Sequence, residues 1–415
     1  MRIAWLGPEP SLEGGVPYAA TQILLGLAEQ GVEVDAYIAT VHAPYGNRFD
    51  GCPGLRLFTE RVPWDWDRWY SRQPLMATAT SLLARARSQK HLLVRLSAEH
   101  ARRPYALIYQ FSQFEVPWLR RRETGLPPVI VHPEVHTAGE LRWHRREHAL
   151  AVRCGGKART EATTALLAGR TIIQRRDARR VAGIIAPSRV FARHLEDDYS
   201  IESERLYVVQ NPIDLRRFTP QSGGPTENGP VELLFVSRLS VRKGIEMVVG
   251  LSHRLAREPG RFRLRIVGAH SMFSDYTPLL KELHPAVARH EGYRSADEVA
   301  QLHRSADVVL QPSHYEPFAL TVGEALASGS PVVTSDEVGA TENVDSRCSY
   351  RFAAGNLDAF EAGVRAMADV MRDGRRDDVR RLARFEAERL FAPQRVCRAL
   401  VDTFERVLDN GPPRN

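Results

Sequence analysis

The segment from residue 306 to residue 334 constrains the fold more than any other part of the chain. Residues 306–310 form an apolar run that predicts a buried parallel strand, and residues 331–334 form a second one. Between them, residues 318–329 predict a helix that ends at a glycine. This strand, loop, helix, strand order places the loop at the carboxyl end of a strand, where open α/β sheets bind ligands.

Two carboxylates mark this unit. Glu316 lies in the loop, and Glu324 lies about one and a half turns inside the helix. The first helical turn offers unpaired N–H groups to an anion. It contains Phe318, Ala319, Leu320 and Thr321. Because a carboxylate repels phosphate but accepts hydrogen bonds from hydroxyls, the pattern suits a sugar joined through a diphosphate to a nucleoside. The alternative is an ordinary βαβ unit with two surface glutamates.

The motif resembles a known family signature. Glu316-Pro-Phe-Ala-Leu, three further residues, and Glu324-Ala-Leu-Ala-Ser-Gly-Ser-Pro resemble the E-x7-E signature of retaining glycosyltransferase family 4. The resemblance implies the GT-B fold, an α/β architecture of two Rossmann-like domains with parallel sheets facing across a cleft. It also implies that the second domain binds a nucleotide-sugar donor. Ala319 departs from the signature, which usually has glycine at that position.

A second match lies in a cationic loop, residues 237–244. This loop follows an apolar strand, residues 231–236, and precedes a helix. Its sequence, Ser-Arg-Leu-Ser-Val-Arg-Lys-Gly, resembles the family's G-R-L-x-x-x-K-G. Arg238 and Lys243 are therefore the predicted diphosphate-binding pair, since arginine offers a forked donor set and lysine a point charge. A solvated basic turn is the alternative interpretation.

The length of 415 residues predicts two domains. A Gly-, Pro- and Ser-rich segment, residues 219–230, is the predicted linker. We expect an acceptor-binding domain over residues 1–218 and a donor-binding domain over residues 231–390. In the family fold, the closing segment, residues 391–415, packs back onto the first domain.

The resemblance implies further site residues. A histidine of the first domain faces the donor sugar in the family, and His136 is the predicted one, with His132 as the second choice. A purely structural role for these histidines is the alternative interpretation. Gly15 corresponds to a glycine on the cleft wall. Gly268, at the end of a predicted strand, and Tyr293, in a loop that borders the nucleobase, complete the predicted donor site.

The predicted catalytic residues are Glu316, His136, Arg238 and Lys243. Glu316 is expected to bind hydroxyls of the transferred sugar, and Glu324 to accept hydrogen bonds from the ribose hydroxyls. In the family mechanism the departing phosphate oxygen takes the acceptor's proton on the same face of the sugar. We expect no cofactor and no metal, because the two cations neutralise the diphosphate. Asp65-x-Asp67 imitates a metal-binding D-x-D motif, but it lies among aromatic residues in a loop. The four cysteines form no C-x-x-C pair, which argues against a zinc site.

The net charge of +7 is unevenly distributed. Residues 1–218 contain 31 Lys and Arg against 23 Asp and Glu, and the remainder is close to neutral. We therefore expect a glycan, lipid-linked or anionic acceptor on the first domain. A basic amphipathic helix over residues 75–100 is either a membrane-surface contact or an ordinary surface helix. With no long apolar run, the expected location is cytoplasmic, peripherally at the inner membrane face.

Two other functions remain open. A sugar-nucleotide epimerase would share the architecture and would need acid and base groups in the first domain, for which His132 and Glu134 are candidates. A nucleic-acid binder would use the arginine-rich half, but it would leave the two glutamates and the cationic pair unexplained. We therefore do not expect a nucleic-acid partner.

Overall fold

The computed structural model describes residues 1–11, 15–40, 49, 51–64, 68, 74–116, 125–220, 229–269 and 275–410. The Asp65-x-Asp67 segment and residues 221–228 of the predicted linker lie outside the described residues. The described chain forms two parallel sheets with helices on their faces.

The first domain is built on a seven-stranded sheet in the order β3-β2-β1-β4-β5-β6-β7. Its strands are β1 (Arg2–Gly7), β2 (Glu33–Thr40), β3 (Leu55–Arg61), β4 (Leu107–Ser112), β5 (Val129–Pro133), β6 (Gly183–Ala186) and β7 (Leu206–Val208). Its helices are α1 (Val16–Glu29), α2 (Pro74–Arg102), α3 (Thr137–Arg146), α4 (His148–Gly155), α5 (Lys157–Ala178) and α6 (Arg189–Tyr199). The central strands read as continuous apolar runs because helices cover both faces.

The second domain has a six-stranded sheet in the order β10-β9-β8-β11-β12-β13. Its strands are β8 (Val231–Val236), β9 (Phe262–Val267), β10 (Ala288–His290), β11 (Val308–Gln311), β12 (Val332–Ser335) and β13 (Ser349–Phe352). Its helices are α7 (Ile245–Leu255), α8 (Ala296–Ser305), α9 (Leu320–Ala327), α10 (Leu357–Val370) and α11 (Arg376–Phe391), and a last helix, α12 (Pro393–Asn410), follows. The prediction of two Rossmann-like domains is confirmed.

The strand order reverses once in each sheet. In the first sheet the reversal lies between β1 and β4, and in the second it lies between β8 and β11. At such a point the two following loops leave in opposite directions and open a crevice at the carboxyl ends of the strands. Each domain therefore has one topologically favoured ligand site.

The last helix, α12, packs on the first domain. Its buried side chains, among them Val396, Leu400 and Phe404, belong to the same apolar cluster as the β1 and α1 side chains. The contact with α1 is close, because a Cβ built on Gly26 would lie 2.4 Å from Cys397 Sγ. The chain thus crosses between the domains twice.

Polar groups join the two domains beside α6. Ser188 Oγ caps α6 and also donates to the carbonyl of Pro317 at 2.6 Å. The Glu342 carboxylate of the second domain accepts from the N–H of Arg189 at 2.9 Å and from that of Val190. A carboxylate at a helix N-terminus is favourable because it satisfies free amides and complements the helix dipole.

A second junction buries a carboxyl group. Tyr276 of the second domain donates its hydroxyl to Glu147 Oε1 at 2.6 Å, at the start of α4. Burial is the largest cause that raises the pKa of Glu147, to about 7; Glu246 raises it further, while Tyr276, Arg242 and His314 lower it. Charging Glu147 therefore costs free energy in the folded state.

We expect Glu147→Gln to stabilise the protein at pH 8 and to leave it unchanged near pH 4. A carboxyl pKa raised by folding means that stability falls as pH rises from about 4.5 to about 7. The glutamine variant avoids that loss, worth about 3 kcal/mol above pH 7. Urea unfolding of both proteins at pH 4 and pH 8 measures it. An equal difference at both pH values would contradict the assignment.

None of the helices among the described residues is long and apolar enough to cross a membrane.

Candidate functional site

The cationic loop, residues 237–244, leaves β8 at the point where the second sheet reverses its strand order. Two glycines allow it to pack closely. A Cβ built on Gly268 would lie 1.8 Å from the carbonyl oxygen of Ser237, and one on Gly244 would lie 2.2 Å from that of Pro312. Both glycines have positive φ, 139° and 78°. The loop is therefore held against the ends of β9 and β11 by contacts that admit no side chain.

Three cations lie on this loop. Arg238 is exposed and has no recorded hydrogen-bond or ion-pair partner among the described residues. Arg242, which is not among the residues predicted from the sequence, donates from Nη1 to the carbonyl of Tyr315 at 3.0 Å. Lys243 contacts the Glu316 carboxylate. The structure thus brings the predicted phosphate-binding lysine and the predicted sugar-binding glutamate into one ion pair.

Burial is the largest cause that lowers the pKa of Lys243 well below its ordinary value, and the neighbouring Arg242 and Arg238 lower it further. The contact with Glu316 opposes this by favouring the charged form of the lysine. Glu140 also raises the pKa of Lys243, so two carboxylates, Glu316 and Glu140, act on the three cations and leave the loop net positive. The loop therefore favours an additional anion.

The first turn of α9 faces the same region of the second domain. Its N-terminal neighbour Ala319 has φ 78° and ψ 85°, and the hydroxyl of Thr321 donates to the carbonyl of Val236 at 3.4 Å. No partner within the described residues is recorded for the N–H groups of Leu320 and Thr321. Phe318 is buried and packs edge-to-face on Phe391. These free N–H groups lie at the start of α9, directly beside the end of β8. An anion at this helix N-terminus would be stabilised.

We expect Ala319→Gly to stabilise the second domain by about 0.5–1 kcal/mol. An alanine with positive φ costs roughly 1–2 kcal/mol, and the greater chain entropy of glycine in the unfolded state offsets part of the gain. Urea unfolding of wild type and variant measures the difference. Ala325→Gly, inside the same helix, serves as the control and should destabilise. Destabilisation by Ala319→Gly as well would contradict the argument.

Glu324 lies within α9 and is almost fully buried, at 8% exposure. Its Oε2 is 3.6 Å from His303 Nε2. From the sequence, Glu324 is expected to accept hydrogen bonds from ribose hydroxyls. In the structure, Glu324 lies one helical turn after the free N–H groups of Leu320 and Thr321, on α9, the helix that follows the Glu316 loop.

The profile of the family described as glycosyl transferases group 1 matches residues 220–382. This matched range contains the cationic loop, both glutamates and α9. Residues 220–382 form a glycosyl transferases group 1 domain.

Curated relatives carry similar names. The chain is 33% identical over 167 residues to a glycogen synthase from Mycobacterium tuberculosis, which covers 40% of each protein. It is 26% identical over 375 residues to a D-inositol 3-phosphate glycosyltransferase from Geodermatophilus obscurus, covering 85% of this chain and 77% of the relative. The first match thus spans less than half of that relative's length.

Solved structures show the same fold over nearly the whole chain. Sucrose-phosphate synthase from Thermosynechococcus elongatus superposes with a TM-score of 0.72 at 17% identity, covering 99% of this chain and 100% of that one. The Anabaena protein HepE, solved in complex with UDP-glucose, superposes with a TM-score of 0.64 at 17% identity, covering 98% and 99%. Both likenesses concern the fold.

His136 does not face an open site in this structure. The ring is fully buried between the first domain and the group 1 domain. Its Nε2 lies 2.6 Å from Asp198 Oδ2, and its Nδ1 lies 2.5 Å from the hydroxyl of Tyr315. Because a carboxylate only accepts, Nε2 carries the proton and Nδ1 accepts from Tyr315. Both ring nitrogens of His136 are thus engaged by protein groups in this structure, and the contact of His136 with the donor sugar stays a prediction.

The alternative histidine, His132, is also buried. Its Nδ1 lies 2.7 Å from the hydroxyl of Tyr109, and burial lowers the pKa of His132 to about 3. Glu134 accepts from Asn211 Nδ2 at 2.7 Å, and burial raises the pKa of Glu134 to about 7. Both histidines are fully buried in this structure, and which of them faces the donor sugar stays a prediction.

The two remaining predicted residues lie at the surface. Gly15 has φ 83°, and nothing lies within 4 Å of a Cβ built on it. Tyr293, in the loop after β10 of the group 1 domain, is 67% exposed. Both positions leave space for a ligand to approach.

Two residues beside the site, Arg242 and His303, were not predicted from the sequence. The adjacent Arg242-Lys243 pair is a local signal that could have indicated Arg242. No local signal indicates His303, because its contact with Glu324 joins two different helical segments.

Proposed function

We propose that the protein is a retaining glycosyltransferase that moves a hexosyl group from a UDP- or GDP-sugar to a sugar, glycan, lipid-linked or anionic acceptor. The observation that carries the proposal is the arrangement at the strand reversal of the second sheet. Three cations and the free amides of α9 lie beside two buried carboxylates. This combination matches a diphosphate flanked by hydroxyl groups. The Anabaena protein of the same fold binds UDP-glucose, which supports the donor class.

The ion pair of Lys243 and Glu316 gives a physical account of donor binding. An arriving diphosphate attracts the Lys243 ammonium more strongly than one carboxylate does, because it carries more charge. Transfer of Lys243 to the phosphate releases Glu316, whose oxygens then accept hydrogen bonds from the sugar hydroxyls. Glu324 accepts from the ribose.

Catalysis follows from charge development. As the bond from sugar to diphosphate breaks, negative charge grows on the leaving oxygen. Arg238, Lys243 and the amides of Leu320 and Thr321 stabilise that charge because they are positioned before the reaction begins. The leaving oxygen takes the acceptor's proton on the same face, so the anomeric configuration is retained. The cations perform the neutralisation that a metal would otherwise supply, and we propose metal-independent turnover.

The proposal is tested by incubating the enzyme with UDP- and GDP-sugars, with and without a panel of acceptors. We expect nucleotide release that depends on the acceptor and survives EDTA, and a product with the donor's anomeric configuration by NMR. An epimerase would alter the donor sugar with no acceptor present. Failure of every donor to bind or to release nucleotide would refute the function.

We further propose a peripheral membrane contact through α2 at the cytoplasmic face. Leu83 and Val94 are 70% and 65% exposed, and the exposed Arg87 and Lys90 share their helical face. Apolar and basic groups on one stripe suit an anionic lipid surface. We expect Leu83→Ser with Val94→Ser to reduce sedimentation with phosphatidylserine-containing vesicles at least fivefold. Equal sedimentation would contradict the contact.

A further inference from the structure

A cavity of about 280 Å³ lies in the first domain, where its strand order reverses. Leu6 and Gly7 at the end of β1, and Gln110 and Ser112 at the end of β4, form its floor. Residues of α2 form its other side. The cavity thus occupies, in the first sheet, the topological position that the cationic loop and α9 occupy in the second.

One wall of the cavity is held in place by hydrogen bonds. The side-chain amide of Gln110 donates to the carbonyls of Gln113 and Glu115, both at 3.0 Å. The Glu115 carboxylate accepts from Arg170 Nε at 2.7 Å and from Gln174 at 3.0 Å. A wall that is fixed without a ligand loses little conformational entropy when a ligand binds.

The backbone is strained at the same wall. Ser112 has φ 74°, a conformation that costs a residue other than glycine roughly 1–3 kcal/mol and that concentrates at ligand sites. The turn brings Gln113 opposite α2, where its Oε1 accepts from Gln89 Nε2 at 3.2 Å. The other polar atom of each side-chain amide, Gln89 Oε1 and Gln113 Nε2, has no recorded partner among the described residues. Together they offer one acceptor and one donor.

The charge of the lining is nearly balanced. Among the described residues that line it, the side chains that carry charge at neutral pH are Glu9, Arg85 and Glu115, and Tyr37 is a neutral phenol. Glu115 is paired with Arg170. Within the described part of the lining, one carboxylate and one guanidinium therefore remain. This contrasts with the three cations of the cationic loop. An anionic group gains little here, whereas hydroxyl groups find amides that both donate and accept.

We propose that this cavity binds an uncharged sugar unit of the acceptor. The inference rests on the proposed function and narrows the acceptor's chemistry. Cavities for drug-sized ligands run from roughly 300 to 1,000 Å³, so this one suits a ligand about the size of a monosaccharide. The C–H groups of a sugar ring pack on Leu92 and Leu93, and its hydroxyls bind the paired amides. Any anionic part of the acceptor lies outside the cavity.

Ligand-observed NMR with glucose, galactose, mannose, N-acetylglucosamine and their 6-phosphates tests the proposal. We expect at least one neutral sugar to bind the wild type. Ala39→Phe, which fills the cavity, should weaken that binding at least tenfold, and Gln113→Ala at least threefold. Ala165→Phe, the same change at an exposed position of α5, is the control and should have no effect. The 6-phosphates should bind no more tightly than the neutral sugars.

Three results would overturn the proposal: no neutral sugar binds, the binding is insensitive to both cavity variants, or a 6-phosphate binds at least tenfold more tightly and loses that binding in both variants. Should Ala39→Phe fail to fold, Gln113→Ala decides alone. Binding of UDP and GDP is measured on the same samples. Loss of nucleotide binding by the wild type refutes the proposed function, whereas intact nucleotide binding without sugar binding refutes only the cavity.

Discussion

The Arg238→Ala, Lys243→Ala double variant is expected to lose about a thousandfold in transfer rate. Removing one preorganised donor from a developing oxyanion typically costs about a hundredfold to a thousandfold, and this variant removes two cations. A thousandfold loss corresponds to about 4 kcal/mol of transition-state stabilisation. Steady-state kinetics with the identified donor measure it, and calorimetry with the nucleoside diphosphate reports the accompanying loss of affinity.

The matched control is Arg257→Ala with Lys281→Ala. Both residues are exposed in the second domain and lie outside the cationic loop. This control removes the same charges and should keep the wild-type rate within twofold. If the test variant loses less than tenfold, the diphosphate assignment of Arg238 and Lys243 is wrong.

Gly244→Ala is expected to destabilise the second domain by about 4 kcal/mol or more. Its φ of 78° alone costs alanine roughly 1–2 kcal/mol. In addition, the new Cβ would lie 2.2 Å from the carbonyl oxygen of Pro312, so the cationic loop and β11 must separate. Losses of this size are exceptional and indicate a steric or buried-group cause. Thermal and urea unfolding measure the effect.

Gly260→Ala separates the two causes. Gly260 has φ 80°, and nothing lies within 4 Å of a Cβ built on it. It therefore reports the backbone cost without the collision and should lose only about 1–2 kcal/mol. Equal losses at both glycines would show that Pro312 yields without cost.

Short-range sequence patterns predicted the helix and the strand around the cationic loop of the second domain closely. The helix expected to begin near Phe318 and to stop at Gly329 is α9, Leu320–Ala327. The strand expected over residues 231–236 is β8. Such elements are predictable because caps, apolar periodicity and glycines act over a few residues.

Side-chain partners could not be predicted in the same way. Lys243 and Glu316 are 73 residues apart, and His136 and Tyr315 are 179 apart. Their contacts depend on how β8 lies beside β11 and on how the domains meet, which no local pattern encodes. The strained backbone at Ser112 and the cavity beside it could not be predicted for the same reason, because they arise where β4 packs against α2.

The carboxylate of Glu342 has a consequence for domain motion. It is supplied by the second domain, yet it satisfies the first amides of a first-domain helix, α6. Separation of the two domains would expose those N–H groups to water and remove the negative charge that stabilises the N-terminus of α6. Dissolved ions screen such an attraction. Rising ionic strength should therefore shift the population toward separated domains, even with no substrate present.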